Sequence, residues 1–355
     1  MAKRVDQLLP GLATGDAVSQ EARVIRELLQ QAGYESRMFV DPEHVAPDVS
    51  VDWIPAAEYS SMPGDVLIYH YSISSPADEI FLSARAVRVM LYHNITPGHW
   101  FRGYDDRVAE LLEDARRNLK RVAASADAVW ADSEFNASEL RASGRPDTRV
   151  FRFLFERSRF EQPRDEDMFR RYDPSMTNLL FVGRIAPNKC IEDLIAAFAW
   201  YHAHLNPDSR LIIAGSERSC PRYYAMLRMY MAELGLRHVC FERYVSDTGL
   251  ATLYQLADLV VITSRHEGFC LPVVEAMYCG VPVVARSAAA IPETMGSAGV
   301  LFDELDPPEL AALWDRILND RMLRREILDS QNRRLSEFLE RDAVREIREL
   351  LGELL

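Results

Sequence analysis

One stretch decides the fold: Ser264-Arg-His-Glu-Gly-Phe-Cys-Leu-Pro-Val-Val-Glu-Ala-Met-Tyr-Cys-Gly280, which follows an apolar run at Leu259–Thr263. The run is typical of a buried strand, and Pro272 suits the first turn of a helix, where a missing N–H costs nothing. We therefore expect a helix to begin near Leu271, at the carboxyl end of a parallel strand. Ligands of open α/β sheets bind at that edge, and the free N–H groups of such a helix favour a phosphate.

The same order of strand, loop and helix recurs along the chain. Apolar runs without alternation predict parallel strands buried on both faces. The predicted strands are Val5–Leu9, Val66–Tyr71, Val87–Tyr92, Ala128–Ala131, Leu179–Val182, Leu211–Ala214, Val239–Tyr244, Leu259–Thr263 and Pro282–Ala285. Helical patterns separate them at Gln20–Gln31, Arg107–Ala123, Ile191–His204 and Leu310–Leu318. This alternation predicts an α/β protein built by right-handed crossovers.

The length of 355 residues favours two domains. We expect a first domain over residues 1–155, a linker over 156–176 and a second domain over 177–335. The linker is expected because the segment is rich in Arg, Asp and Glu and contains Pro163 and Pro174. The amphipathic end of the chain, 336–355, is expected to form a helix that either caps the second domain or packs back on the first.

Composition excludes several classes of protein. A net charge of −13 disfavours non-specific nucleic-acid binding, which needs a cationic surface. No apolar run approaches the roughly 18 residues that span a bilayer, and the first residues lack a secretory signal. The five cysteines form no C-x-x-C pair, which indicates reduced thiols and neither disulfides nor a zinc site. These features predict a cytoplasmic protein without a bound metal.

Two pairs of charged residues lie where a ligand of the second domain is expected. Arg184 and Lys189 follow a predicted strand and could converge on one anion, or be solvated surface cations. Glu267 and Glu275 flank the turn described above and could accept hydrogen bonds from sugar or ribose hydroxyls, or be ordinary surface charges.

Further candidates lie in the first domain. His93 closes a predicted strand and could donate to a sugar or phosphate, or be structural. Gly11 and Gly15 would let the backbone approach a ligand, and Asp16 could cap the following helix. The loop lacks a full Gly-x-Gly-x-x-Gly fingerprint, which disfavours a nicotinamide dehydrogenase. A basic run over residues 116–121 is either a solvated face balanced by nearby acids or a contact with anionic lipid.

In these residues the sequence resembles the family 4 retaining glycosyltransferases of the GT-B fold, and in particular bacterial surface-polysaccharide members that are mannosyltransferase-like. The resemblance covers nearly the whole second domain, in five segments that occur in the family's order, and is looser in the first domain. The segments are Phe181–Lys189, Leu211–Gly215, Glu267–Met277, Gly280–Val284 and Ile291–Phe302, with Tyr92–Pro97 and the Gly11–Gly15 loop in the first domain. It implies two Rossmann-like domains whose parallel sheets face a central cleft.

The resemblance also implies roles for individual residues. Arg184 and Lys189 would bind the donor diphosphate, Glu267 would contact the donor sugar and Glu275 the ribose. His93 would face the donor sugar. The remaining expected donor contacts are backbone groups of Gly268, Phe269, Cys270 and Leu271, the nucleobase segment Tyr244–Ser246 through Val245, and the Gly15 loop. The candidate catalytic residues are thus Glu267, His93, Arg184 and Lys189. Cys190 and Cys270 stand where the family usually has glycine, so a positive φ there would strain the loops.

The function implied is transfer of a hexose from a nucleotide-diphosphate sugar to a hydroxyl of a glycan or lipid-linked oligosaccharide. The family retains anomeric configuration, by a front-face mechanism without metal or cofactor. GDP-mannose is the favoured donor and UDP-glucose the next. Segments holding Asp16, Tyr71, Asn94 and Thr96 could face the acceptor. A peripheral contact with the inner membrane face is compatible with such an acceptor, and the sequence leaves the oligomeric state open. The alternatives are a sugar-nucleotide epimerase on the same fold and a non-catalytic sugar-nucleotide-binding protein.

Overall fold

A computed structural model describes residues 4–172, 175–243 and 245–354, which form two compact units. Unit 1 comprises Met1–Gly98, Arg107–Leu154 and Glu340–Leu355, and unit 2 comprises His99–Asp106 and Phe155–Leu339. Each unit is built on one parallel sheet with helices, so both are α/β. Across the described residues, none of the helices has the length and apolar character needed to cross a membrane.

The sheet of unit 1 has seven parallel strands in the order β3-β2-β1-β4-β5-β6-β7. The strands are β1 (Val5–Leu9), β2 (Met38–Val40), β3 (Ile54–Pro55), β4 (Val66–Tyr71), β5 (Val87–Tyr92), β6 (Ala128–Ala131) and β7 (Arg149–Val150). The helices are α1 (Ala17–Gln31), α2 (Ala77–Ser83), α3 (Asp106–Ser125) and α4 (Glu134–Ala142). Short 3₁₀ turns lie at Pro42–His44 and Ala56–Glu58, and a third, Gly98–Trp100, begins where the chain passes into the segment His99–Asp106 of unit 2.

The sheet of unit 2 has six parallel strands in the order β10-β9-β8-β11-β12-β13. The strands are β8 (Thr177–Val182), β9 (Ser209–Ala214), β10 (Val239–Glu242), β11 (Leu259–Ile262), β12 (Val283–Arg286) and β13 (Val300–Phe302). The helices are α5 (Glu166–Arg171), α6 (Ile191–His204), α7 (Pro221–Glu233), α8 (Asp247–Leu256), α9 (Leu271–Tyr278), α10 (Ile291–Met295), α11 (Pro307–Asn319) and α12 (Arg321–Leu339). Further 3₁₀ turns lie at Arg157–Phe160 and Pro187–Lys189.

The strand order of unit 2 indicates the edge of the sheet at which a ligand is expected to bind. The chain builds outward from β8 to one side and then restarts with β11 on the other side, so β8 and β11 are neighbours with their connections on opposite faces. Such a switch point leaves a crevice at the carboxyl ends of the two strands. The loops that follow β8 and β11 are those that carry Arg184, Lys189 and Glu267.

The sequence predicts the central strands better than the edges. Each of the nine predicted strands corresponds to an observed strand, within two residues at either end. For the strand predicted over Val239–Tyr244, the structure has β10 end at Glu242, and Tyr244 lies outside the described residues. The strands β2, β3, β7 and β13 have two or three residues each, which is too short for a hydrophobic pattern to emerge.

The segment expected to form a linker, 156–176, instead belongs to unit 2 over its described residues. Its 3₁₀ turn buries Phe160, and α5 buries Met168. The backbone N–H of Asp165 donates to the hydroxyl of Thr252 on α8 at 2.7 Å. A few well-placed apolar anchors therefore attach a segment whose overall composition is that of a linker.

The end of the chain returns to unit 1. The helix α12 lies in unit 2, and the chain crosses at Glu340 into α13 (Ala343–Gly352). Ile347, Leu350 and Leu351 of α13 are buried in the core cluster that contains residues of β1, β4, β5 and α1. Unit 1 therefore obtains part of its core from the last residues of the chain.

Candidate functional site

The loop after β8 begins with an unusually close approach of two backbone segments. A Cβ atom added to Gly215 would lie 1.8 Å from the carbonyl oxygen of Gly183, so only glycine fits at the end of β9. The loop then presents Arg184, which is exposed, and forms the 3₁₀ turn Pro187–Lys189. Within the part of the chain that the structure describes, no ion pair is formed by Arg184, so its guanidinium is open to an anion.

Hydrogen bonds join this loop to the loop after β11. The hydroxyl of Thr263 donates to the carbonyl oxygen of Lys189 at 3.0 Å. The side-chain amide of Asn188 donates to the carbonyl oxygen of His266 at 3.0 Å, and the N–H of Arg265 donates to the carbonyl of Asn188 at 2.9 Å. The two loops at the switch point are thus held as one surface.

The result is a direct contact between two residues predicted for the site. The ammonium of Lys189 lies 2.6 Å from each carboxylate oxygen of Glu267. The side chains are only 11% and 13% exposed, so the pair is largely withdrawn from water. Lysine carries three donors, and the one cation can therefore hold the carboxylate and still donate to a ligand oxygen.

Cysteine residues stand in left-handed backbone conformation immediately before two helices of this site. Cys190 precedes α6 with φ 49° and ψ 50°, and Cys270 precedes α9 with φ 75° and ψ 64°. These angles are the ones glycine adopts without penalty. Burial raises the pKa of the Cys190 thiol to about 12 and that of Cys270 well above its usual value, so both thiols stay protonated. They are therefore unsuited to act as nucleophiles.

The first turn of α9 carries the backbone groups expected to face sugar and phosphate. Cys270 and Leu271 are buried at its start, after Gly268 and the buried Phe269. The Phe269 carbonyl accepts a hydrogen bond from Thr294 of α10, which fixes the turn. Because the first N–H groups of a helix have no intrahelical partner, this turn is suited to an anionic or hydroxyl ligand.

The second glutamate, Glu275, lies deeper in unit 2. It is 3% exposed, accepts a hydrogen bond from the Tyr254 hydroxyl at 2.8 Å, and has its Oε1 3.5 Å from Nη1 of Arg159. Burial raises the pKa of Glu275, while the charge of Arg159 and the bond from Tyr254 act in the opposite direction. The sequence reasoning missed both partners. Arg159 lies in the segment expected to be a linker, and Tyr254 follows no recognisable motif. Of the expected nucleobase segment, Val245 is half-buried, Ser246 is exposed and caps α8 by accepting from the N–H of Gly249 at 3.1 Å, and Tyr244 lies outside the described residues.

His93 lies in unit 1, inside a buried polar network. Its Nδ1 is 3.2 Å from Glu21 and 3.4 Å from Asp132, and its Nε2 is 2.9 Å from Nδ1 of His70. Burial by itself would lower the pKa of His93, but hydrogen bonds to Asp132 and Glu21 and the charges of both carboxylates raise it to about 9. A pKa of about 9 makes His93 positively charged at neutral pH, with Nε2 hydrogen-bonded to His70 and Nδ1 close to two carboxylates. His70 is neutral because burial and the charge of His93 lower its pKa.

The network continues to the first strand. The other nitrogen of His70 contacts the side-chain oxygen of Gln7 at 2.9 Å, and the amide of Gln7 donates to the carbonyl of Ala22 at 3.0 Å. The ring of His93 is buried, and both of its nitrogens face groups of unit 1. This placement favours a structural role for His93 over the expected contact with a donor sugar.

One group in unit 1 has the composition of a metal site. Glu21, His93 and Asp132 present one ligand atom each, all within 4.8 Å of one another. Attraction between a positively charged His93 and the two carboxylates accounts for the short distances without a metal ion. That the protein needs no metal stays a prediction from the sequence.

Of the other residues predicted for the site in unit 1, some keep exposed surface and others are buried in the core. Asp16 caps α1 by accepting from the N–H of Ser19 at 2.9 Å, and the neighbouring Gly15 is exposed with φ 76°. Tyr71 was expected as an acceptor-side candidate, but it is fully buried and its hydroxyl donates to the carbonyl of Ala115 at 2.9 Å. Its position in the centre of the sheet makes it a core residue.

Two acceptor-side candidates follow β5. Asn94 is buried, has φ 71° and donates from its amide to Asn136 at 2.8 Å, so it too is held inside unit 1. Thr96 is half-buried. Of the four acceptor-side candidates, Asp16 and Thr96 retain exposed surface.

The basic run on α3 consists mainly of paired charges. Arg116 donates to Glu139 at 2.6 Å, and the ion pairs of Arg117 and Arg121 are formed with Asp114 and Glu79. These contacts favour the interpretation of a solvated face balanced by acids over that of a lipid-binding surface.

Comparison with known proteins shows which sequences and folds this chain is similar to. Residues 169–334 match the family model described as glycosyl transferases group 1. The serotype-specific mannosyltransferase WbdA of Escherichia coli is 29% identical over 151 residues, which are 42% of this chain and 18% of that protein. A D-inositol 3-phosphate glycosyltransferase of Thermomonospora curvata is 32% identical over 256 residues, or 68% of this chain and 54% of the relative. The chain thus matches only part of the length of these relatives.

Solved structures show the same fold over nearly the whole chain. A sucrose-phosphate synthase from Thermosynechococcus elongatus superposes with a TM-score of 0.76 at 20% identity, covering 99% of both chains. Anabaena HepE in complex with UDP-glucose superposes with a TM-score of 0.70 at 21% identity, covering 99% of this chain and 98% of the other. The two parallel α/β units are therefore those of the GT-B fold.

Proposed function

We propose that this chain, whose residues 169–334 form a group 1 glycosyltransferase domain, transfers a hexose from a nucleoside-diphosphate hexose to a hydroxyl of a glycan or lipid-linked oligosaccharide. One observation carries the proposal. The cation of Lys189, the carboxylate of Glu267 and the start of α9 lie together where the strand order of unit 2 leaves a crevice. This combination suits a ligand that has both a diphosphate and sugar hydroxyls.

We propose mannose from GDP-mannose as the first donor to test. The similarity to WbdA, which is named a mannosyltransferase, supports this choice. UDP-glucose is the second, supported by the likeness to HepE, whose structure contains that nucleotide sugar. The expected contact of Val245 with the nucleobase is made by its backbone and favours neither base, so the two donors are to be compared by experiment.

The reaction would proceed on the face from which the diphosphate departs. The bond between the anomeric carbon and the phosphate oxygen breaks, the acceptor oxygen forms the new bond on the same face, and its proton passes to the departing diphosphate. Arg184, Lys189 and the N–H groups of α9 would stabilise the negative charge that develops. In this mechanism the protein supplies no nucleophile and requires no metal.

The pairing of Lys189 with Glu267 solves an electrostatic problem of this mechanism. A carboxylate beside a diphosphate would repel it, but the lysine neutralises Glu267 while keeping donors for a phosphate oxygen. Glu267 can then accept hydrogen bonds from hydroxyls of the sugar. His93 is left out of the proposed donor site, because its ring is buried among Glu21, Asp132 and His70.

The test begins with binding. We expect GDP-mannose, UDP-glucose or their diphosphates to bind the wild type in isothermal titration. Arg184→Ala should weaken that binding about 10- to 150-fold, since hydrogen bonds to charged groups contribute about 1.5–3 kcal/mol. The matched control is Arg325→Ala, which removes an exposed arginine of α12 and should leave affinity unchanged.

Turnover is followed with a donor labelled in the sugar. Label that leaves the nucleotide in the presence of an acceptor mixture supports transfer, and Glu267→Gln should reduce its rate by orders of magnitude. Label that stays on the nucleotide as an epimer would point to the epimerase instead. Binding without any turnover would indicate the non-catalytic sugar-nucleotide-binding protein, and equal binding by Arg184→Ala and the wild type would contradict the site.

A further inference from the structure

Arg159 occupies a fixed position in unit 2 although its segment has the composition of a linker. It lies in the 3₁₀ turn Arg157–Phe160, and aromatic contacts hold this turn in place. The ring of Phe160 packs edge-on against Tyr254 of α8, with centroids 5.7 Å apart, and Phe155 packs against Tyr278 of α9 at 5.2 Å. The backbone of Arg159 is therefore anchored to the two helices whose residues it contacts.

The guanidinium of Arg159 joins two parts of the proposed donor site. Its Nε donates to Oδ1 of Asp247 at 2.8 Å, and Nη2 lies 2.7 Å from the same oxygen. Its Nη1 is 3.5 Å from Oε1 of Glu275. The side chain is only 10% exposed. Asp247 is the first residue of α8 and directly follows the expected nucleobase segment Tyr244–Ser246, so one side chain links the end of that segment to the expected ribose carboxylate.

Glu275 depends on its neighbours because its carboxylate is buried. The groups that face it are the guanidinium of Arg159, the hydroxyl of Tyr254, the carboxylate of Asp247 and the thiols of Cys270 and Cys279. The cysteine thiols are protonated, since burial raises the pKa of both. Arg159 is thus the cation among these groups that compensates an ionised Glu275. An ionised and correctly turned carboxylate is the stronger acceptor for two ribose hydroxyls, since both of its oxygens can then only accept.

We propose that Arg159 is a positioning residue for the nucleoside-diphosphate donor, which fixes the carboxylate of Glu275 for the 2′- and 3′-hydroxyls of the ribose and ties it to the segment that holds the nucleobase. The inference rests on the proposed function, and it adds a residue that none of the motifs contains. It also names the part of the ligand that Arg159 controls. Arg159 acts on the ribose through Glu275, whereas the diphosphate is bound by the loop of Arg184 and Lys189.

Because Arg159 acts on the ribose and not on the diphosphate, the preference for ribonucleotides over deoxyribonucleotides tests its role. An arginine with a purely structural role would not change this preference. In the wild type, the ribonucleoside diphosphate should bind about 10- to 150-fold more tightly than its 2′-deoxy or 3′-deoxy form, as expected for hydrogen bonds to a charged acceptor. In Arg159→Met this ratio should fall to within threefold of unity, because Glu275 is no longer held. Binding of inorganic pyrophosphate, which has no ribose, should not change.

Three further variants sharpen the experiment. Arg159→Lys keeps the charge and loses the planar fork, so it should retain part of the ratio. Tyr254→Phe removes the other hydrogen bond to Glu275 and should lower the ratio without touching Arg159. Arg157→Met is the matched control on the same turn, since Arg157 is 66% exposed and pairs only loosely with Glu161 at 3.8 Å. It should behave as the wild type.

The pH dependence provides a second measurement. Loss of Arg159 removes the charge that opposes the effect of burial, so the pKa of Glu275 rises further. Ribonucleotide affinity of Arg159→Met should therefore weaken more steeply as the pH falls from 8 to 6 than that of Arg157→Met.

The outcomes separate this inference from the proposed function. If GDP and UDP fail to bind the wild type, the proposed function fails, and the inference fails with it. If they bind and Arg159→Met keeps the wild-type ratio of ribonucleotide to deoxyribonucleotide affinity, the inference is overturned and the proposed function stands. Should Arg159→Met not fold, the same conclusion follows if Arg159→Lys and Tyr254→Phe keep that ratio. A collapsed ratio with unchanged pyrophosphate binding supports both.

Discussion

The cysteines before α6 and α9 have left-handed backbone conformation, and this leads to a prediction about stability. At these two positions a glycine variant should be more stable than an alanine variant, the reverse of the usual order. Cys190 and Cys270 have φ of 49° and 75°. A side chain with a Cβ in this conformation costs about 1–2 kcal/mol, and glycine avoids that cost. Glycine in turn loses about 0.4–1 kcal/mol through its greater freedom in the unfolded chain. The difference favours glycine by about 1 kcal/mol.

The informative comparison is therefore Cys→Gly against Cys→Ala at each position. Both variants lose the sulfur and whatever packing it provides, so the effect of the buried thiol largely cancels between them. At positions 190 and 270 we expect the glycine variant to be the more stable of the two. In a unit of this size, about 1 kcal/mol corresponds to a difference in Tm of roughly 2–4 °C. Thermal unfolding followed by circular dichroism measures it.

Cys279 is the matched control. It closes α9 with φ −78° and ψ 0°, a right-handed conformation in which glycine has no advantage. There the alanine variant should be more stable than the glycine variant by about 0.5–1 kcal/mol. The reasoning would be refuted if alanine were equal to or better than glycine at both 190 and 270, or if all three positions gave the same order.

Two further predictions concern unit 1. The pKa of His93 is raised from about 6.5 to about 9, so its contribution to stability is complete below pH 6.5 and is lost as the pH rises through 9. The contribution of His93 to the free energy of unfolding is on the order of 3 kcal/mol. Between pH 6.5 and 9, urea unfolding should show a much smaller loss of stability in His93→Gln than in the wild type. Equal losses in the two proteins would contradict the assignment. Ile347→Ala on α13 should cost about 2–5 kcal/mol in urea unfolding because the side chain is fully buried, whereas Met322→Ala, 70% exposed, should cost under about 0.5 kcal/mol. A negligible effect of Ile347→Ala would show that α13 adds nothing to the core of unit 1.

The part of the site that sequence could predict is the part fixed by strand order. Lys189 and Glu267 follow strands that alternate with helices, and parallel strands bring their carboxyl ends to the same edge of a sheet. Their contact at 2.6 Å is a consequence of β8 and β11 being neighbours. The pattern of short apolar runs and the residues just beyond them predicted that both residues lie at this edge, whereas their direct contact became visible only in the structure.

The part that sequence could not predict depends on packing between distant residues. Arg159 reaches Glu275 because two aromatic rings seat its turn on α8 and α9, and charge composition alone suggested a linker there. The role of His93 could not be read from its place at the end of a strand either. That role depends on Glu21 of α1 and on Asp132, the residue that follows β6.

The two units use charge at the ends of their sheets in opposite ways. In unit 1 the titratable groups near the ends of β4, β5 and β6 turn inward, where the cation of His93 is compensated by Glu21 and Asp132. In unit 2 the loop after β8 leaves Arg184 exposed and the lysine beside Glu267 with spare donors. A buried, compensated cluster cannot attract a diphosphate, whereas an exposed guanidinium beside a helix start can. Affinity for the charged part of a nucleotide sugar is therefore expected to reside in unit 2.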